Sequence, residues 1–303
     1  MLDLVKPVAT TLLALSLIVS SSVAVLAEEG SGVGCEKKFV GAQGYVKAVQ
    51  LGDKLQRYLD RKAESKDTRV VLLGRAGSDS PEQRFQKRVS NYWNYTHAGF
   101  AYRDHPAGRW SVVHMLNDCG EESSIYVEGL VNFFLDNPHE YRVVVAIPSA
   151  QVQEALEAVV LDRDMAAALY NNSRYSSVSN PFNTKRQNSN EYLLDTTTAA
   201  LALDGGVKNI YTREQSKAYL LSSGLQDQVV PERVKVKGIE NLGMALGFGP
   251  MNATLDDHPR SDISKGYVNM VSVGTLIKFL ENIDALESTT ELALRDLLRV
   301  KSK

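Results

Sequence analysis

The stretch Tyr95–Leu116, YTHAGFAYRDHPAGRWSVVHML, decides how the chain is read. Two aromatic and β-branched runs flank HPAG (His105–Gly108), a proline–glycine turn signal, so the segment predicts an antiparallel hairpin. Pairing Tyr102 with Arg109 across that turn sets His97 directly opposite His114. Opposed residues share a face, with Cβ atoms about 4.5–5.5 Å apart. A slip of one residue would send the two side chains to opposite faces. Histidines inside apolar strands are costly unless partnered. A base held by an orienting group is one solution, and two separately satisfied half-buried side chains is the plainer one.

The flanking segments build a sheet around this hairpin. RVVLLGRAG (Arg69–Gly77) and YRVVVAIP (Tyr141–Pro148) read as short buried strands, the second stopped by its proline. YVKAVQLGDKLQRYLDRK (Tyr45–Lys62) carries Val46, Val49, Leu55 and Leu59 at roughly helical spacing. SAQVQEALEAVVLDRDMAAALY (Ser149–Tyr170) follows as an amphipathic helix. After an irregular polar loop, QNSNEYLLDTTTAALAL (Gln187–Leu203) is a helix ended by the glycines of DGG (Asp204–Gly206). TREQ (Thr212–Gln215) fits a capping box, RVKVKGI and GYVNMVSV read as strands, and a last helix covers about Gly274–Ile283. The fold class is therefore α+β with a mainly antiparallel sheet packed on helices, closed by a small C-terminal α+β subdomain. The expected organisation is a leader over 1–27, a core domain over 28–206 and the subdomain over 207–303.

Ser189, at the mouth of the helix after Gln187, has two readings. Asn188-x-x-Glu191 fits a capping box with asparagine at the cap, and serine is common in first turns. The same position favours chemistry, because free amides and the helix dipole stabilise developing negative charge.

With 44% apolar and 23% charged residues and a net charge of −2, the 303-residue chain has the makeup of a folded globular protein and nothing of a general nucleic-acid binder. Lys6 precedes an apolar run from Val8 to Leu26, and Val25 and Ala27 suit a secretory cleavage before Glu28. That predicts a periplasmic or secreted protein without a stable membrane span. The rival is an inner-membrane anchor left uncleaved. No cysteine follows the cut, which argues against a lipoprotein. Cys35 and Cys119 form a disulfide or remain two thiols; the sequence leaves both open.

Several signatures are missing: no G-x-S-x-G elbow, no serine with lysine three residues on, and no H-E-x-x-H. No cofactor is expected. His97, His114, Asp118 and His258 lack the spacing of a ligand pair, so no metal is expected either. His105 in the turn and His139 after Asn-Pro read as loop residues. LDDHP (Leu255–Pro259) is a turn or lends a polar group to a cleft.

VVLLGRAGSD, YTHAGFAYRD, WSVVHMLNDCG, YVEGLVNFFLD, QNSNEYLLD and LDDHP occur in an order that resembles the bacterial domain of unknown function 2145 family, from about Val70 to Phe279. That family name implies no activity. A more distant likeness is to circularly permuted papain-like proteins of the NlpC type, which include lecithin retinol acyltransferase. There a strand with H-x-G, a second strand with a histidine or other polar group, and an asparagine–cysteine pair opening a helix supply base, orienter and nucleophile. The resemblance implies a papain-like fold, with His97 as base, His114 as orienter and Ser189, after Asn188, in the nucleophile's place. Gln187, Tyr95 and Tyr175 are expected near the cleft or the oxyanion site from their position in the sequence.

Serine stands where those relatives have cysteine, and a hydroxyl needs the histidine to take its proton during attack. Cys119, five residues after His114, is an alternative nucleophile. Two functions follow: an exported acyl hydrolase or acyltransferase acting on an amide or ester, such as a cell-wall peptide or a lipid, or a non-catalytic protein holding a peptide, glycan or acyl chain in the same cleft.

Overall fold

The computed structural model describes residues 40–76, 86–87, 92, 94–118, 120–135, 140–208, 210–236 and 253–294. The leader, Cys35, Cys119 and His139 lie outside them, and with them the cysteine pairing and the alternative nucleophile.

The chain opens with α1 (Ala42–Lys66) and β1 (Val70–Arg75), then β2 (Gln86–Lys87), β3 (His97–Tyr102), β4 (Ser111–Asn117) and β5 (Ser123–Glu128). A short α2 (Leu130–Phe133) leads to β6 (Arg142–Pro148), α3 (Ala150–Leu161), α4 (Arg163–Ala168) and α5 (Ser189–Asp204). There follow α6 (Arg213–Ser222), β7 (Glu232–Lys235), α7 (Arg260–Lys265), β8 (Tyr267–Met270), α8 (Val273–Asn282) and β9 (Leu286–Ala293).

Six strands form an open sheet in the order β5-β4-β3-β1-β6-β9, every neighbouring pair antiparallel. The inner strands are buried on both faces, which is why β1 and β6 read as unbroken apolar runs. On one face Val70, Leu72, Phe100, Tyr102 and Val144 pack with Leu156 of α3 and Leu193 of α5. On the other, Val71, Leu73, Ala101, Val112 and Val145 meet Leu51, Leu55 and Leu59 of α1 and Phe133 of α2. Each such leucine or phenylalanine contributes about 1.5–3 kcal/mol on burial. The mixed α+β class with an antiparallel sheet holds.

The residues after 206 divide between two sheets. β7 and β8 join β2 in a separate three-stranded sheet over a small core of Val178, Val234, Leu255 and Val268, whereas β9 completes the edge of the large one. The capping box of Thr212 and Gln215 is formed. So are the strands expected in RVKVKGI and GYVNMVSV and the last helix.

Two details of the sequence reading are corrected. The hairpin register is Phe100↔Val113 and Tyr102↔Ser111, two residues from the expected pairing. The turn is longer than HPAG: it runs through Trp110, whose backbone N–H closes onto the Arg103 carbonyl at 3.2 Å. Trp110 itself takes a left-handed φ of 58°, unusual for a bulky residue. Its indole is buried and donates to Asp60 at 2.8 Å, which holds it there. The second correction concerns α1. Val46 and Val49 are 55% and 44% exposed, and the buried stripe is Ala48, Leu51, Leu55 and Leu59. The helix starts earlier than its apolar pattern suggests, and its inward face is set by the small Ala48 and Gly52, the latter against Val131.

Candidate active site

The start of α5 is fixed from several sides. Asn188 is its N-cap, its Oδ1 accepting from the Glu191 amide at 2.7 Å, while its Nδ2 donates to the Ser177 carbonyl at 3.2 Å. Asn190 Nδ2 donates to the Thr96 carbonyl at 3.2 Å, tying the first turn to the residue that precedes β3. The helix is buried nearly all round although it carries polar residues. Thr196, Thr197 and Thr198 satisfy their hydroxyls by donating to the carbonyls four residues back, each at 2.8 Å.

The expected capping box at Asn188 is half formed, because the Glu191 side chain does not return to the cap. It joins a buried ionic cluster instead. Arg213 Nη2 and Lys217 Nζ, both from α6, lie 2.7 and 2.9 Å from Glu191 Oε1. Arg213 Nε and Lys217 Nζ lie 2.8 and 2.7 Å from the two oxygens of Asp195, one turn further along α5. Arg213 also donates to the carbonyls of Asn183, Thr184 and Arg186, so the cluster binds the loop leading into α5 as well as the helix.

Into this fixed helix start reaches His97, the first residue of β3. Its Nδ1 lies 3.2 Å from Ser189 Oγ, and its Nε2 lies 2.8 Å from His114 Nδ1. The two-residue register correction leaves both histidines on one face, because an even shift preserves it. They meet diagonally, and Gly99 makes room: a Cβ there would sit 2.6 Å from Val112 Cγ1 and 3.1 Å from His114 Cβ. Phe133 walls the pair, its ring 5.9 Å from His97 and 5.3 Å from His114 between centroids. His114 is fully buried, while His97 is 8% and Ser189 7% exposed.

Burial holds the His97 imidazole well below the ordinary histidine range, helped by the Arg75 charge and by His114. Arg75 pairs directly with His97 across β1 and β3 and lies over the Phe133 ring at 5.3 Å. An uncharged imidazole nitrogen within reach of a hydroxyl is able to take its proton. Beyond His114, its Nε2 lies 3.5 Å from Glu128 Oε2, at the end of β5.

The structure thus brings together His97, His114 and Ser189, with Asn188 as the cap beneath. The other expected cleft residues have contacts of their own. Gln187 donates to the Leu169 carbonyl and to Asp195 and accepts from the Asn171 amide, so its amide group ties the preceding loop to α5. Tyr175 is bridged to Gln187 through the backbone. The Tyr95 hydroxyl donates to Glu291 of β9 at 2.8 Å. Asp118 accepts from Ser124 and Tyr126, and His258 meets the Val178 carbonyl at 2.7 Å. Asp257, its neighbour in LDDHP, accepts from the Asn180 amide at 2.8 Å. Among the described residues no group of three or more histidine, cysteine, aspartate or glutamate side chains is set to hold a metal, and no helix is long and apolar enough to cross a membrane.

Arg75 and Glu128 are absent from the sequence reading. Arg75 carried a signal, as the one charge in a strand otherwise apolar throughout. Glu128 carried none, since its place depends on β5, which the sequence did not reveal.

Fold and site together define an α+β protein with an open antiparallel sheet and a serine–histidine–histidine line at the start of a buried helix. The model of a family described as "Uncharacterized protein conserved in bacteria (DUF2145)" matches residues 62–280, and the chain belongs to that family. No curated protein and no solved structure matches it.

Proposed function

We propose that the protein is a serine-based acyl hydrolase or acyltransferase with a papain-like arrangement, acting on an amide or ester such as a cell-wall peptide or a lipid. The observation that carries this is the 3.2 Å contact between Ser189 Oγ and His97 Nδ1 at the first turn of α5. As Ser189 Oγ bonds to the acyl carbon, its proton passes to His97 Nδ1, which then delivers it to the leaving alcohol or amine. Water or a second alcohol, giving its proton to the same nitrogen, bonds to the acyl carbon as the Ser189 Oγ–acyl bond breaks, and the proton returns to Ser189 Oγ. The first-turn amides of α5 that the Asn188 cap does not take up supply positive potential where the oxyanion forms. His114 orients the base. In this reading the chain is exported, with the leader removed after Ala27.

A second reading keeps the cleft and drops the turnover, so that the protein holds a peptide, glycan or acyl chain. The near-complete burial of Ser189 and His97 favours it, since a substrate must open the site to reach the hydroxyl.

Labelling with a fluorophosphonate, with adducts mapped by mass spectrometry, separates the two. The enzyme reading expects an adduct on Ser189 that is lost in His97→Ala and in heat-unfolded protein. No adduct in the folded state sinks it in favour of binding. Fast iodoacetamide capture at Cys119 alone moves the nucleophile there.

A further inference from the structure

The imidazole pair ends on two orphaned atoms. His114 Nε2 and Glu128 Oε2 are both buried and both lack a hydrogen-bond partner among the described residues, yet they face each other at 3.5 Å. Each unmet buried group is costly, and a closure of about half an ångström would satisfy both at once. Such contacts are often long in unliganded sites and shorten as the site is occupied. The neighbours offer no substitute. Phe133 meets the His114 ring edge-on, and the Tyr126 hydroxyl is turned away to Asp118.

We infer that Glu128 is a positioning residue that sets the direction of the whole hydrogen-bond line from Ser189 through His97 and His114. The line has two possible polarities when each ring carries one proton. In one, Ser189 donates to His97 Nδ1, His97 Nε2–H donates to His114 Nδ1, and His114 Nε2–H donates to Glu128. In the other every proton is reversed, and His97 Nδ1–H points at the serine and is useless as a base. A carboxylate only accepts, so an ionised Glu128 selects the first. Its effect reaches Ser189 through two rings without touching a substrate. When His97 gains the serine proton at Nδ1, its Nε2–H bond to His114 strengthens.

The catalytic consequence rests on Ser189 being the nucleophile, whereas the direction of the line does not. The test is long-range 1H–15N spectroscopy of protein with 15N-labelled histidine, with His97 and His114 assigned from their glutamine variants. The expected wild-type result is two neutral rings protonated at Nε2. In Glu128→Gln, an Nδ1–H form of His114 should appear, and fluorophosphonate labelling of Ser189 should slow about ten- to a hundredfold. Glu128→Asp should keep the wild-type tautomers. A wild-type His114 protonated at Nδ1, or an unchanged spectrum in Glu128→Gln, overturns the inference. The wild-type spectrum decides alone if the variant does not fold. Correct tautomers that respond to Glu128, with no labelling of Ser189, would leave the line standing and remove the acyl-transfer reading.

Discussion

Two buried polar assemblies hang on the first two turns of α5, and they are built in opposite ways. The cluster of Glu191, Asp195, Arg213 and Lys217 is made of acidic and basic side chains alone, with every basic group within 3 Å of a carboxyl oxygen. The line of Ser189, His97, His114 and Glu128 touches the same helix two residues earlier. It is held by single contacts, one of them at 3.5 Å. The first spends its polar groups on rigidity; the second leaves some of them unspent. Groups that lack a hydrogen-bond partner are able to take one up, and here an ionic neighbour holds the helix while the line stays adjustable.

The sharpest way to break this comparison is to exchange the effects. Arg213→Met strands two buried carboxylates against one lysine and frees three loop carbonyls, so it should cost about 3–5 kcal/mol in urea unfolding. Ser189→Ala removes one contact and should cost less than about 1 kcal/mol. Equal losses would mean that the line, too, is structural.

Gly99→Ala lies between these. Its methyl would press on Val112 and on His114, so a loss of about 1–3 kcal/mol is expected, with slower Ser189 labelling as His114 is pushed off His97. Stability lost with labelling unchanged would show that the diagonal contact is not needed.

The smallest effect is on pH. His97 stays neutral in the fold below its ordinary value of 6.5, while the unfolded chain takes up the proton there. Stability should therefore decline as pH falls below that value, and the acid limb of the labelling rate should lie below it. A limb at or above 6.5 would place His97 in an ordinary environment.

How much of this was legible depends on the distance over which each residue's role is decided. The hairpin and its two histidines came from a local pattern. The register was off by two because a tryptophan in a left-handed conformation extends the turn, which no local preference announces. The error was harmless to the pair, as an even shift keeps the face. Gln187 looked like a cleft residue from its neighbours in sequence, but its partners Leu169 and Asp195 are set by the fold. Glu128 was invisible because SSIYVE is half-buried along most of its length and lacks a clean apolar alternation. LESTTELA carries no strand signal for a related reason: β9 alternates half-buried and exposed residues with little apolar content.

That last strand has a consequence for the order in which the protein is made. β6 pairs with β1 on one side and waits for β9 on the other. The partner leaves the ribosome roughly 140 residues later, about 7–30 s at ordinary rates of synthesis. Throughout that interval RVVVAIP presents a bare apolar edge, the kind that other chains can join. Tyr95, two residues before His97, gains its Glu291 partner only when that wait is over.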